Sequence, residues 1–152
     1  MTYTERITNH TEETEALGAE LAARLKPSDF VAMFGDLGAG KTAFVRGAVK
    51  HLAPEAFVQS PTYTIVNEYP AEISVYHFDM YRIDDEDSLY SIGYYDYLEN
   101  GSICFAEWCE KIIPYLPEHF YAVEIRKSAE NPDQRIIRIY EDCSSDDIDF
   151  FA

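Results

Sequence analysis

The chain has 152 residues and a formal charge of −16, from 12 Lys and Arg against 28 Asp and Glu. That length fits one domain with one core and leaves no room for separate lid and acceptor domains, and the negative field argues against autonomous nucleic-acid binding while allowing a basic protein partner, or one that itself holds nucleic acid. Three cysteines without paired spacing argue against a disulfide framework, and there is neither a secretion-type leader nor a run of 18 apolar residues, so a soluble, cytoplasmic protein with no membrane partner is expected.

Thr11 can cap a helix with Glu12 and Glu13 in its first turn, and Leu17, Leu21 and Leu25 repeat every four residues along one face. Pro27-Ser28-Asp29 ends that helix and leads into Phe30–Phe34, an apolar run that reads as a buried strand. Gly35-Asp36-Leu37-Gly38-Ala39-Gly40-Lys41-Thr42 follows and satisfies G-x-x-x-x-G-K-[ST]. Glycines in this pattern let successive N–H groups face phosphates, and the next helix aims its positive end at them. The expected helix is present, since Ala43, Phe44, Ala48, Val49 and Leu52 recur at helical spacing. Asp36, Leu37, Gly38, Ala39, Gly40, Lys41, Thr42 and Ala43 are therefore the expected nucleotide-binding residues. Lys41 would reach the β- and γ-phosphates, and the Thr42 hydroxyl would become a ligand of Mg²⁺.

Beyond Pro54, Thr62–Tyr69 and Glu72–Asp79 alternate apolar and polar residues around Pro70-Ala71, which predicts an antiparallel hairpin and departs from a wholly parallel sheet. Asp84–Asn100 predicts one or two short helices broken near Gly93. Ser102–Glu107 reads as a central strand ending in a carboxylate, and Lys111–Leu116 as a brief helix. Phe120–Arg126 and Arg135–Tyr140 alternate as strands around Asn131-Pro132-Asp133. A domain over residues 1–140 is expected, with an acidic, fraying tail over 141–152 whose Ile148, Phe150 and Phe151 could dock. The abundant tyrosines read either as a recognition surface or as half-buried strand residues.

Phosphoryl chemistry needs a carboxylate for the metal, a group that positions the nucleophile, and positive charge. Glu107, followed by the only tryptophan, Trp108, sits where a metal carboxylate belongs, although Asp is more usual; the alternative is a strand-end glutamate in water. In His77-Phe78-Asp79-Met80-Tyr81-Arg82, alternation puts His77, Asp79 and Tyr81 on one face. Asp79 could serve Mg²⁺ or orient the attacking water, and Arg82 could fix a carboxylate or phosphate; the alternative is the solvated face of an edge strand. Ser60, Thr62 and Thr64 could form a loop that senses the γ-phosphate, or could make local turns only.

Together the phosphate loop, Ser-Pro-Thr-Tyr-Thr at 60–64, His-x-Asp-x-Tyr-Arg at 77–82 and Glu107-Trp108, in this order and at this size, resemble the TsaE (YjeE) family over about residues 11–126. Two departures are mild: Tyr63 stands where Phe is frequent, and Asp96 where a glutamate after Gly93 is frequent. The resemblance implies a P-loop NTPase-like, three-layer α/β fold with a small mixed parallel and antiparallel sheet flanked by helices. It also implies ATP or ADP with Mg²⁺ as cofactors and weak ATPase activity. The implied partners are the TsaD and TsaB proteins, which form N6-threonylcarbamoyladenosine (t⁶A) at position 37 of ANN-decoding tRNAs, so that tRNA would be met only through that complex. Carried over by motif, Lys41 and Thr42 are phosphate and Mg²⁺ residues, Glu107 a metal-site carboxylate, Asp79 a catalytic or metal-site acid, and residues 60–64 a switch-like loop, with His77, Tyr81, Arg82 and Trp108 in support. A small-molecule kinase would use the same loop, but no arginine lies between Arg82 and Arg126 to cover a transferred phosphate. A guanine-reading N-K-x-D sequence is also missing. A nucleotide-sensing module with incidental hydrolysis is the third reading.

Overall fold

Alternation along Phe30–Phe34 (β2) sends Val31 and Met33 to one face of the sheet and Phe30, Ala32 and Phe34 to the other, and all five are buried. A strand with no polar side can only sit in the middle of a covered sheet. The computed structural model describes residues 1–36 and 38–152, so Leu37 of the expected nucleotide-binding set lies outside the described residues. In chain order the elements are β1 (Thr4–Thr8), α1 (Thr11–Ala22), β2, α2 (Lys41–Leu52), β3 (Val66–Tyr69), β4 (Val75–Asp79), α3 (Glu86–Ser91), α4 (Tyr94–Glu99) and β5 (Ile103–Glu107). Two 3₁₀ turns (Cys109–Lys111 and Ile113–Tyr115), β6 (His119–Lys127), β7 (Arg135–Ser144), a third 3₁₀ turn (Ser145–Asp147) and α5 (Ile148–Phe151) complete them.

The sheet runs β1-β7-β6-β2-β5-β4-β3. Its middle strands β6, β2, β5 and β4 are mutually parallel, while β1 on β7, β7 on β6, and β3 on β4 pair antiparallel. On one side α1 and α2 bury Leu17, Leu21, Phe44, Val45, Ala48 and Val49 against Val31, Met33, Phe105, Val123 and Ile125. On the other, Leu89, Tyr94, Ile112, Ile113 and Leu116 cover Phe30, Phe78, Cys104, Ala106 and Phe120. This is the expected three-layer, P-loop NTPase-like α/β fold with a mixed sheet. All three cysteines lie in the second of these cores, where burial pushes the thiols of Cys104 and Cys143 up to about 12 and raises that of Cys109 as well.

Several local expectations differ from the fold. The amino-terminal strand β1 went unread because four of its five residues are exposed and only Thr8 is buried. Thr11 is not the cap of α1 but its first helical residue; His10 is the N-cap, and the Glu13 carboxylate accepts the Asn9 N–H at 2.8 Å. The strand expected to start at Thr62 starts at Val66, after Ile65 takes up φ 69°. Instead of fraying, the tail continues β7 through Ser144, where a capping box with Asp147 turns the chain so that Phe151 stacks on Phe34 at 4.8 Å. Pairing of β3 with β4, two short helices separated by Gly93 at φ 78°, and the β6–β7 pair follow the sequence reading.

Close approach of α1 to α2 depends on two glycines. A Cβ built on Gly47 would lie 1.8 Å from the Glu15 carbonyl oxygen, and one on Gly18 would lie 2.0 Å from that of Phe44. Neither neighbour is a flexible side-chain end, so the helices themselves would have to separate. We expect Gly47→Ala to destabilise the fold by at least about 2 kcal/mol, read as a fall of roughly 4 °C or more in thermal midpoint; an unchanged midpoint would show that the two helices do not meet so closely.

Candidate nucleotide-binding site

Parallel pairing of β2, β5 and β4 brings their carboxyl ends to one edge of the sheet, where sheets of this class place their ligand crevice. After β2 the chain turns through Gly35, whose φ of 142° and 2.4 Å clearance from the Ile125 carbonyl exclude a side chain. Gly40, at φ 112°, is the N-cap of α2 and has no side chain with which to cap it, and the first turn of α2 contains no acidic residue. The amide donors at this helix start therefore keep their positive potential for an anion.

The loop is held through its other groups. Glu110 accepts the Gly35 N–H at 2.9 Å, and Arg135 donates from Nε to the Ala39 carbonyl at 2.8 Å and from Nη2 to that of Gly38 at 3.4 Å. Lys41 Nζ donates to the carbonyl oxygens of Gly35 and, at 3.4 Å, Asp36, and stands 3.8 Å from the centre of the Trp108 ring. Burial pushes the Lys41 ammonium below the ordinary lysine value, opposed by the nearby carboxylates of Glu110, Glu107, Asp79 and Asp36.

Asp79 and Glu107 are register partners at the ends of β4 and β5, and both are buried. Thr42 Oγ1 donates to Glu107 at 3.0 Å to Oε2 and 3.2 Å to Oε1, so the start of α2 is tied to the end of β5. On its other side Glu107 Oε2 lies 2.5 Å from Nε2 of the fully buried His77. The Asp79 carboxylate is oriented by the Tyr81 N–H, 2.9 Å from Oδ1. Among the described residues the buried polar side chains are Thr8, Thr14, Lys41, His77, Asp79, Ser102 and Glu107, and every ionisable one of them stands here. Buried charge gathered at one edge of an otherwise apolar core marks a functional site.

These groups border a cleft of about 230 Å³ lined by Gly38, Ala39, Gly40, Lys41, Thr42, Ala43, Ser60, Thr62, Asp79, Glu107 and Trp108. Across the loop, sharing Gly38, Gly40 and Ala43, lies a second hollow of about 420 Å³ between Asn9, His10, Thr11, Glu12, Thr14, Asp133 and Arg135. Asn9, His10, Glu110 and Arg135 escaped the sequence reading because no pattern marks them: Arg135 is 96 residues from the Ala39 it holds.

Several placements correct the sequence reading. Tyr81 does not share the strand face with His77 and Asp79; it lies past the end of β4, 58% exposed, with its ring 5.0 Å from that of Trp108. β4 is not an edge strand with a solvated face, since it lies between β5 and β3 and is buried throughout. Arg82 donates to the Thr62 carbonyl at 2.5 Å, fixing the hydroxyl-rich loop and not a carboxylate. Within that loop Ser60 and Thr62 share a hydrogen bond at 2.7 Å and reach the cleft, whereas Thr64 donates to Asn67 at 2.6 Å and does not line it.

Fold and site define an α/β protein of the P-loop NTPase-like class, with a glycine-rich turn and paired acids at the carboxyl edge of its parallel strands. The chain belongs to the TsaE family: the family described as threonylcarbamoyl adenosine biosynthesis protein TsaE matches residues 8–137. The tRNA threonylcarbamoyladenosine biosynthesis protein TsaE of Bacillus subtilis is 36% identical over 79% of this chain and 75% of its own. The proteins of the same name from Rickettsia felis (38%, over 82% and 74%) and Haemophilus influenzae (42%, over 70% and 70%) are similar. The crystal structure of Bacillus subtilis YdiB matches with a TM-score of 0.76 at 28% identity, covering 99% of this chain and 91% of that one.

Removing the carboxylate that holds the loop from behind should be visible without any ligand. In Glu110→Ala the Gly35 amide is expected to exchange with solvent about tenfold or more faster, as loss of a charge-assisted hydrogen bond implies. Unchanged protection in a hydrogen-exchange measurement would remove Glu110 from the loop's support.

Proposed function

We propose that this chain binds ATP with Mg²⁺ and hydrolyses it slowly, in support of a TsaB–TsaD complex that forms t⁶A at position 37 of ANN-decoding tRNAs. The observation that carries the proposal is the hydrogen bond from Thr42 at the start of α2 to Glu107 at the end of β5, beside an uncapped helix terminus and a buried lysine. A hydroxyl whose proton is already committed to a carboxylate presents its oxygen lone pairs outward, which is the form a cation requires. Hard oxygen donors from Thr42, Glu107 and Asp79 suit Mg²⁺, with the remaining positions left to phosphate and water. When bound, that ion would neutralise charge that develops on the transferred phosphoryl group.

The residues divide the work by chemistry. Amides of 38–43 would bind the phosphates, Lys41 would exchange its loop carbonyls for phosphate oxygen, and Thr42 and Glu107 would hold the cation. Asp79, oriented by the Tyr81 N–H, would hold or orient the attacking water, and Ser60 and Thr62 would answer to the terminal phosphate. The nucleoside end would lie in the hollow across the loop beside His10 and Arg135. Among the described residues that line the cleft none is an arginine, so full turnover is expected only with its partners, as P-loop enzymes completed in trans behave. The reported relatives carry the t⁶A biosynthesis name, which supports the assignment of pathway.

Calorimetry should detect ATP or ADP binding with Mg²⁺, and Lys41→Ala should weaken it by about a hundredfold, a cost of about 2.7 kcal/mol; no uptake by folded protein would overturn the nucleotide assignment. Asp79→Asn is expected to lower kcat by about 10²-fold while ADP affinity changes little, and equal losses of rate and affinity would make it a binding group only. Phosphate release measured with and without TsaB, TsaD and tRNA should rise on the order of tenfold or more with the complete set. Equal rates would separate the chain from that complex.

A further inference from the structure

Among the described residues the buried carboxylate, ammonium and imidazole side chains are Lys41, His77, Asp79 and Glu107, and of these His77 is the one that nucleotide binding leaves without a task. It stands on β4 opposite Phe105 of β5, two residues before Glu107, and its Nε2 is 2.5 Å from Glu107 Oε2. Its Nδ1 is buried with no hydrogen-bond partner. These two facts select a tautomer. A proton on Nδ1 would orphan a buried donor and set the bare Nε2 lone pair against a carboxylate oxygen, whereas a proton on Nε2 makes a charge-assisted bond and leaves only an unused acceptor.

If His77 merely filled space, phenylalanine would fill it without an orphaned nitrogen. What the imidazole adds is one directed N–H. Glutamate has one more side-chain torsion than the aspartate more usual at such a position, and each free torsion spreads the carboxylate over more orientations. Thr42 fixes Glu107 from the side of α2, and His77 fixes it from β4, so the carboxylate is held between two donors on separate elements. We infer that His77 is a positioning residue: by donating from Nε2 it locks Glu107 in the orientation that meets the Thr42 hydroxyl and the cation beside it. This rests on the Mg²⁺-nucleotide reading above. It assigns His77 no contact with nucleotide.

Three variants separate the donor from the bulk. His77→Phe keeps the volume and removes the N–H, His77→Gln returns a donor near the Nε2 position, and His77→Asn carries a donor that is too short to reach. With Phe or Asn, half-saturating Mg²⁺ is expected to rise tenfold to a hundredfold and kcat to fall by a similar factor, as losses of a ligand's orienting partner do; ADP affinity in EDTA should stay within about twofold, and Gln should regain most of both. A folded Phe variant with the original Mg²⁺ dependence, or Gln no better than Phe, overturns the inference. A second readout needs no nucleotide: in the unmodified chain labelled with nitrogen-15 histidine, a slowly exchanging proton bonded to His77 Nε2 is expected. A bare Nε2 overturns the inference. Should the unmodified chain bind no nucleotide, the Mg²⁺-ATP proposal fails by itself, while the spectrum still decides how His77 meets Glu107.

Discussion

Thr42 and Glu107 come from different elements, and the hydrogen bond between them is what makes a loop and a sheet edge into one site. Its geometry is set well below the surface, where β2 and β5 pair in parallel from Phe30 opposite Cys104 to Ala32 opposite Ala106. A one-residue slip in that pairing would turn Glu107 to the other face and leave the hydroxyl without its acceptor. Around this contact, the backbone of the glycine-rich turn is secured by Glu110 from behind and Arg135 from β7, and neither uses the amides at the start of α2. The turn is fixed by its periphery while its inner donors stay available.

Concentrating charge in this way has a cost, because a buried ammonium and two buried carboxylates lose hydration that their neighbours only partly replace. Elsewhere the fold keeps ions at the surface: Arg6 with Glu20, Arg24 with Glu141, and Arg46 with Glu15 all remain accessible to water. Two apolar layers offset the expense. They pack on opposite faces of the sheet, and each touches β2, so the strand that feeds the loop is held from both sides.

What the sequence disclosed follows from the range of the forces involved. β2, the glycine-rich turn and α2 were legible because spacing, glycine positions and apolar period all act within a dozen residues. The hairpin of β3 and β4 was legible for the same reason, although its start was read too early, since alternation says nothing of the left-handed turn at Ile65. β1 left no trace, because an exposed edge strand needs no apolar face. Asp79 and Glu107 could be proposed separately from their strand ends. That they are register neighbours, that His77 lies against Glu107 from 30 residues away, and that Arg135 holds the Ala39 carbonyl are tertiary facts, which no local pattern encodes. Acidic composition suggested that the tail frays, whereas the docking also open to Phe150 and Phe151 is what the fold shows, the two rings seating on Phe34 and Tyr140.

The sealed sulfurs offer a last consequence. With burial pushing their pKa values up to about 12, Cys104 and Cys143 present far less nucleophilic thiolate than a free cysteine, and Cys109 is buried as deeply. Alkylating reagents would therefore label the native molecule only when it opens. The rate of their uptake is a built-in clock for unfolding, and a cysteine engineered on the outside could be tagged selectively without first removing the three that nature placed within.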